Sequence, residues 1–381
     1  MLARLACVGA AVAVVCRATP HTRSYCARVS SIFSLPRDVL VPCVNAPAFV
    51  ADVFLFADEV ELLAARVYEL QDAVDYFVLI ESNETHTGYP RRPMYGEARE
   101  WLERSLGVAL VRKIHRHLCV YPPHLHVNAV ILGDGPQRAL HVRREAYARN
   151  ECVDAALSGV LDNVAPSPPR DLGSGLVLLG DADEIPSHDS VLAITLCRPL
   201  GDAPPPPSPR DADDVHATVC FTQQRFHFNL YCGSVNMFAW RGTVAAAYAT
   251  LRRRGGQWLR DHRDSSECGV TARLGHGGWH LSNFPFGDAS RLVDKYRGFS
   301  ETQVAAHIAP GDALAYWTSV VRTGLGDVRT NTHCEPRHDL AVLCYLPSYV
   351  TEGGRGSEAF IALLSAEQRR ACGFPAARAP P

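Results

Sequence analysis

Residues 176–186 read Leu-Val-Leu-Leu-Gly-Asp-Ala-Asp-Glu-Ile-Pro, so a short apolar run ends abruptly in three carboxylates within four positions. Four consecutive apolar residues bounded by glycine fit a buried parallel strand, and ligands of open α/β sheets bind beyond the carboxyl ends of such strands. Asp181, Asp183 and Glu184 are therefore expected at the rim of a cleft. Clustered carboxylates repel one another and are costly to desolvate, and a divalent cation held by hard oxygens is the natural compensation. The bland alternative is a solvated acidic turn at the surface, which the apolar strand ahead of it disfavours.

Such a rim needs a sheet behind it. Residues 53–56 read as a short apolar strand, Leu62, Leu63, Val67 and Leu70 fall on one helical face, and residues 76–80 form a second apolar strand. Strand, helix and strand at this spacing make a right-handed βαβ unit. The pattern then repeats, with a third strand expected over residues 108–114, a long helix over 139–161 and the fourth strand over 176–179. Residues 166–169 and 204–209 are too rich in proline for the interior of an element and are expected as loops, the second as a surface insertion. Beyond it, residues 217–221, 224–230 and 237–243 are β-rich and aromatic, and a closing helix is expected over 356–370. The fold class is α/β: a Rossmann-type, mostly parallel sheet flanked by helices, with a smaller mixed β layer.

The chain of 381 residues is long enough for a sizeable core, and its formal net charge of -2 argues against a nucleic-acid footprint. Residues 1–4 supply a short basic start and residues 5–16 carry no charge. Twelve residues span about 18 Å as a helix, short of the ~30 Å hydrocarbon core, so a signal peptide and a short signal anchor in the membrane are both open. Residues 17–50 read as a stem or linker, 51–370 as the catalytic domain and 371–381 as a flexible tail. Thirteen cysteines suit an oxidising lumen, but their irregular spacing defines neither a zinc framework nor a pairing. Asn83-Glu84-Thr85 is an N-glycosylation triplet if exposed.

An Asp-x-Asp at the end of a strand is similar to the metal site of GT-A glycosyltransferases, in which carboxylates hold Mn²⁺ against a nucleotide-sugar diphosphate. Across most of residues 50–330 the sequence resembles glycosyltransferase family 17, the bisecting β-1,4-N-acetylglucosaminyltransferases. Six ordered blocks carry the resemblance. They are residues 54–70 with Glu59, Leu63, Arg66 and Leu70; 74–78 leading to Glu81-Ser82-Asn83 and to 87–91; Arg144-Glu145 to Arg149-Asn150; 181–186; Gly278-Trp279-His280; and 295–301. Departures from the family pattern fall at Leu281-Ser282, at Ser300 and in the proline-rich insertion.

The resemblance implies a GT-A-like fold and a metal-dependent inverting enzyme. It would move N-acetylglucosamine from UDP-GlcNAc onto the β-linked core mannose of an N-glycan or glycoprotein acceptor. On this reading Asp183 binds Mn²⁺ (or Mg²⁺) directly, Asp181 meets the metal through water or contacts the ribose, and His280 completes the site. His280 is otherwise a histidine hydrogen-bonded beside a buried tryptophan. Arg149 and Asn150 would reach the diphosphate or the sugar hydroxyls, since a guanidinium fork suits oxygen-rich anions, and Glu81 would contact the uracil or ribose or else cap a helix. An inverting transfer needs a carboxylate base, for which Glu301 and Glu267 are the candidates. The implied location is the Golgi membrane, type II, with a lumenal catalytic domain. A related glycosyltransferase with another acceptor stays open, and so do two other classes: a phosphatase in which the first Asp is the nucleophile and the second the acid/base, and a catalytically silent secreted carbohydrate-binding protein. The histidines at 115, 117, 124 and 126 read as a chance grouping around a turn, and Arg252-Arg253-Arg254 as a solvated basic loop.

Overall fold

A computed structural model describes residues 40–42, 47–127, 136–164, 175–199, 218–230, 232–233, 240–263, 277–298, 312–323, 335–336, 346–352, 357–362, 364 and 366–374. Its strands, in chain order, are Leu40–Pro42 (β1), Val50–Phe56 (β2), Tyr76–Ser82 (β3), Ile114–Cys119 (β4), Leu176–Asp181 (β5), Glu184–Pro186 (β6), Cys197–Pro199 (β7), Thr218–His227 (β8), Cys232–Gly233 (β9), Trp240–Ala247 (β10), Gly278–Ser282 (β11) and Glu335–Pro336 (β12).

Burial along β2 and β3 is nearly continuous, the pattern of strands covered on both faces. The helix Val60–Leu70 joins them and turns Leu62, Leu63, Val67 and Leu70 inward, so β2 and β3 pair in parallel. This is the βαβ unit the spacing predicts. On the other side of β2, β5 is also parallel, which sets Asp181 beside Leu55 while Glu81 stands beside Phe56. The carboxylates at the ends of β3 and β5 thus reach the same edge. Phe54 and Leu178 face one core with the helix Val60–Leu70, while Val53, Val78 and Val177 face a second with Val153, Leu157 and Leu161. An α/β sheet with helices on both faces is the class expected.

The sheet runs β12-β9-β8-β10-β5-β2-β3-β4, with β11 beside β8 and β6 beside β11. The strands from β5 to β4 are parallel, and β10 and β8 continue antiparallel. The mixed strands expected after the insertion therefore extend the same sheet. Residues 217–221 and 224–230, read as two strands, belong mainly to the single strand β8. Residues 108–114, expected as a strand, begin with the helical turn Val108–Val111, and the third parallel strand starts only at Ile114. Gly107, at φ 84°, ends the helix Tyr95–Leu106 and redirects the chain into that turn. The strand that follows is buried only at its ends, Ile114 and Cys119, and partly or fully exposed between them because it lies at the edge of the parallel strands, so it carries no apolar run to announce it. The long helix expected over 139–161 is two helices, Pro136–Tyr147 and Val153–Val164, joined by a π-helical segment, Ala148–Cys152. The closing helix over 356–370 is two short ones, Glu358–Ala362 and Ala366–Ala371. Residues 1–39, both proline-rich segments and residues 375–381 lie outside the described residues. Among the described residues no helix is long and apolar enough to cross a membrane.

Candidate active site

The turn after β5 carries the chemistry, and one buried arginine fixes its backbone. Arg66, on the helix Val60–Leu70, donates two hydrogen bonds to Asp52, both 2.7 Å, and both side chains are fully buried. Its Nη1 donates on to the carbonyls of Asp181 and Glu184, each at 2.8 Å. Thr243 Oγ1 donates to the same Glu184 carbonyl at 2.7 Å. A charge-assisted clamp of this kind holds the turn in one shape. Gly180 leaves room for it, since a Cβ there would come 2.7 Å from Thr243 Oγ1.

Each rim carboxylate has cationic partners. Asp181 accepts from Arg149 at 3.1 Å and from Arg260 at 2.5 Å, each on its own oxygen. Glu184 accepts from Arg260 at 2.5 Å, from Arg263 at 2.9 Å and from the Trp240 indole at 3.2 Å. Asp183 accepts from Lys295 at 3.2 Å and faces His280 Nε2 at 3.7 Å. Burial pushes these carboxyls up, but the cations outweigh it. Arg260, then Arg149, hold Asp181 well below the usual carboxylate range, Lys295 and His280 do so for Asp183, and Arg260 and Arg263 for Glu184. All three are ionised at neutral pH.

Tertiary pairing brings His280 here. β11 runs antiparallel to β6 with His280 opposite Glu184, and Gly278 at φ 129° permits the approach, since a Cβ there would lie 2.1 Å from the Ile185 carbonyl oxygen. His280 stacks on Trp240, ring centroids 4.6 Å apart, whereas its chain neighbour Trp279 is buried in the core on the opposite face. His280 thus follows a buried tryptophan in the chain while its ring stacks on a different, partly exposed indole.

Among the described residues no cluster of three or more His, Cys, Asp or Glu side chains could hold a metal ion. Two donors nonetheless fit a cation: Asp183 Oδ2 and His280 Nε2 face one another, and His280 Nδ1 is buried without a hydrogen-bond partner. Carboxylate oxygen with imidazole nitrogen is a donor pair that suits Mn²⁺. Asp181, expected at the metal or the ribose, instead has both oxygens engaged by guanidinium groups.

The remaining expected residues divide. Arg149 lies in the π-helical segment, buried, and bridges Asp181, Glu145 at 2.7 Å and Gln257 at 3.2 Å. Asn150, expected at the donor, uses its Oδ1 to accept from the Gln257 amide at 2.9 Å, and so anchors the start of the helix Gly256–His262. Glu81, expected at the uracil or ribose, is fully buried and is the helix cap of the alternative reading. It accepts from the Met94 and Tyr95 amides at the start of the helix Tyr95–Leu106 and pairs with Arg116 at 2.8 Å. Glu267 and Glu301 lie outside the described residues. His115 and His117 sit on β4, and Arg252, Arg253 and Arg254, expected in a loop, form the last turn of the helix Tyr248–Arg254, where Arg252 pairs with Asp154 at 2.8 Å on the surface.

Sequence reading missed Arg260, Arg263 and Trp240. They arrive because β10 pairs antiparallel with β5 and feeds two short helices back to the rim, a return that no local motif announces. It missed Asp58 as well. Burial, reinforced by Glu59, raises this carboxyl from 3.8 to about 6 against the pull of Lys295, Arg291 and Arg91.

Residues 42–115 match the family model described as Glycosyltransferase family 17, the family the sequence resembles. The match spans β2, the helix Val60–Leu70 and β3, and it supports a glycosyltransferase. No curated protein sequence matches the chain. A solved structure similar in outline is the mannosyltransferase PcManGT from Pyrobaculum calidifontis in complex with GDP-Man and Mn²⁺. It is 12% identical, covers 93% of this chain and 91% of that chain, and has a TM-score of 0.31.

Proposed function

We propose that this chain is a metal-dependent inverting glycosyltransferase that moves N-acetylglucosamine from UDP-GlcNAc to the β-linked core mannose of an N-glycan, in β-1,4 linkage. The observation that carries the reading is the turn Asp181–Glu184 at the carboxyl end of a parallel strand, ringed by the cations Arg149, Arg260 and Lys295, with His280 facing Asp183. Carboxylates alone would repel a diphosphate, and this concentration of cations is what a diphosphate needs. A divalent cation, when bound, neutralises charge on the leaving diphosphate. Asp183 and His280 would hold it. Arg66 keeps the turn in register, and Arg149 and Arg260 keep Asp181 ionised and set guanidinium charge beside it, a charge that suits phosphate oxygens. In the transfer the acceptor hydroxyl oxygen bonds to the anomeric carbon, the bond from that carbon to the diphosphate oxygen breaks with its electron pair leaving on the diphosphate, and the hydroxyl proton passes to a carboxylate base.

The test is to incubate the purified chain with a panel of UDP-sugars and Mn²⁺, with and without an N-glycan. Acceptor-dependent consumption of UDP-GlcNAc is expected. Consumption of a different UDP-sugar would move the donor assignment, release of phosphate alone would favour the phosphatase, and glycan binding without turnover the silent carbohydrate-binding protein.

The same reading sets residues 51–370 as the catalytic domain in the lumen of the secretory pathway, behind a membrane-directed segment at residues 1–16. The Cys119–Cys152 disulfide supports an oxidising compartment. Deleting residues 1–16 should leave the chain in the cytosol with reduced cysteines; an intact deletion variant in the Golgi would refute the location.

A further inference from the structure

Lys295 stands in an unusual position. Its Nζ lies 3.2 Å from Asp183 Oδ2 and 3.6 Å from Glu59 Oε1, so it bridges the turn after β5 and the segment after β2. The Asp183 oxygen it touches is the one that faces His280 Nε2. A divalent cation held by that oxygen would share it with the ammonium. Ammonium and metal ion would then be like charges competing for one oxygen, and their repulsion across a shared oxygen is strong wherever water is scarce.

The helix that carries Lys295, Ser290–Gly298, is tied down at both ends. Arg291 donates to Glu61 at 2.8 Å, Thr87 Oγ1 donates to the Arg297 carbonyl at 2.8 Å, and Tyr296 stacks on Trp317 with ring centroids 4.4 Å apart. Glu59 is fixed too, its other oxygen accepting from the Ala57 amide at 3.0 Å and the Asp58 amide at 3.2 Å. What can move is the lysine stem, four methylenes long.

Resting on the transferase reading, we infer that Lys295 is an exchangeable partner of the metal-binding carboxylate. It occupies Asp183 while the metal is away, and it turns to the phosphate oxygens of the sugar nucleotide when metal and nucleotide arrive together. The lysine thereby compensates Asp183 in the empty site and adds a positive charge to the diphosphate in the loaded one. Lys295 is a donor-binding residue on this account, and Glu59 is the positioning residue that keeps its ammonium at the rim.

The exchange predicts opposite effects on two binding reactions, which loss of packing would not produce. In Lys295→Met, Mn²⁺ alone should bind several-fold more tightly than to wild type, because its competitor is gone. UDP in the presence of Mn²⁺ should bind about 10- to 100-fold more weakly, the size of a charge-assisted hydrogen bond. Lys295→Arg, which keeps the charge, should retain most of the UDP affinity. Calorimetry reads both, with circular dichroism confirming the fold. Should Lys295→Met fail to fold, the wild type answers by acylation of Lys295 followed by mass spectrometry. Mn²⁺ alone should speed the labelling, Mn²⁺ with UDP should slow it, and uridine should do nothing. Unchanged UDP affinity in Lys295→Met, weakening of both reactions together, or a labelling rate indifferent to Mn²⁺ and UDP overturns the exchange. Wild-type protein that binds neither Mn²⁺ nor UDP overturns the transferase reading itself.

Discussion

Asp183 and Asp58 are rim carboxyls with opposite electrostatics. Lys295 and His280 hold Asp183 ionised, while burial and Glu59 push Asp58 up to about 6. Asp183→Asn keeps the volume and removes the anionic oxygen, so transfer at saturating UDP-sugar should fall at least about 100-fold, as EDTA should do for wild type. Full activity of that variant with unchanged metal dependence would remove Asp183 from the site. Asp58 makes a different prediction, on stability. Its folded-state pKa is raised, so its contribution is fully present below 3.8 and is lost as pH rises through about 6. Asp58→Asn should therefore melt higher than wild type above pH 6, with the difference shrinking toward pH 4. An equal difference at pH 4 and pH 8 would show that charge is not the cause.

At the scale of elements, the Asp52–Arg66 pair couples the first βαβ unit to the chemistry. Both side chains are fully buried, and Arg66 also holds the carbonyls of Asp181 and Glu184. Arg66→Met would leave Asp52 as an uncompensated buried charge, and a loss of about 3–5 kcal/mol is expected. Adding Asp52→Leu should recover much of that stability, because an apolar pair can replace a buried ion pair. Activity should stay low in the double variant, since the turn has lost two of its hydrogen bonds. Chemical denaturation reads the first quantity and UDP-sugar turnover the second. Recovery of both together would mean that Arg66 acts on stability alone.

Over the whole molecule, burial lowers the pKa of five histidines among the described residues: His86 to about 4, His227 to about 2, and His115, His117 and His141 in the same direction. His188 is raised, chiefly by its hydrogen bond to Asp189. The lowered group dominates. Below pH 6.5 the unfolded chain binds protons that these folded imidazoles refuse, so stability should fall as pH drops from about 7 toward 4. Asp58 opposes this as a single group, and so sets only a smaller counter-slope. Melting temperatures across that range provide the check, and a flat profile would mean that the imidazoles remain open to water in the folded protein.

Much of this is legible in the sequence itself. The run at 176–179 announces a buried strand because a strand covered on both faces has no polar alternation, and the carboxylates after it announce a rim because strand ends are where a parallel sheet meets solvent. The spacing of Leu62, Leu63, Val67 and Leu70 places a helix between two strands for an equally local reason, since 3.6-residue periodicity is written in consecutive residues. Where a side chain spends its charge is not local. Glu81 stands at the expected rim, yet its carboxylate caps a helix that begins fourteen residues later. Arg260 reaches Asp181 across 79 residues, and Lys295 reaches Asp183 across 112, because antiparallel strands and a returning helix bring them there. Local pattern determines where strands and helices form; only the packed sheet decides which cation faces which carboxylate, because charge pairing depends on distances of a few ångströms between segments that the sequence keeps far apart.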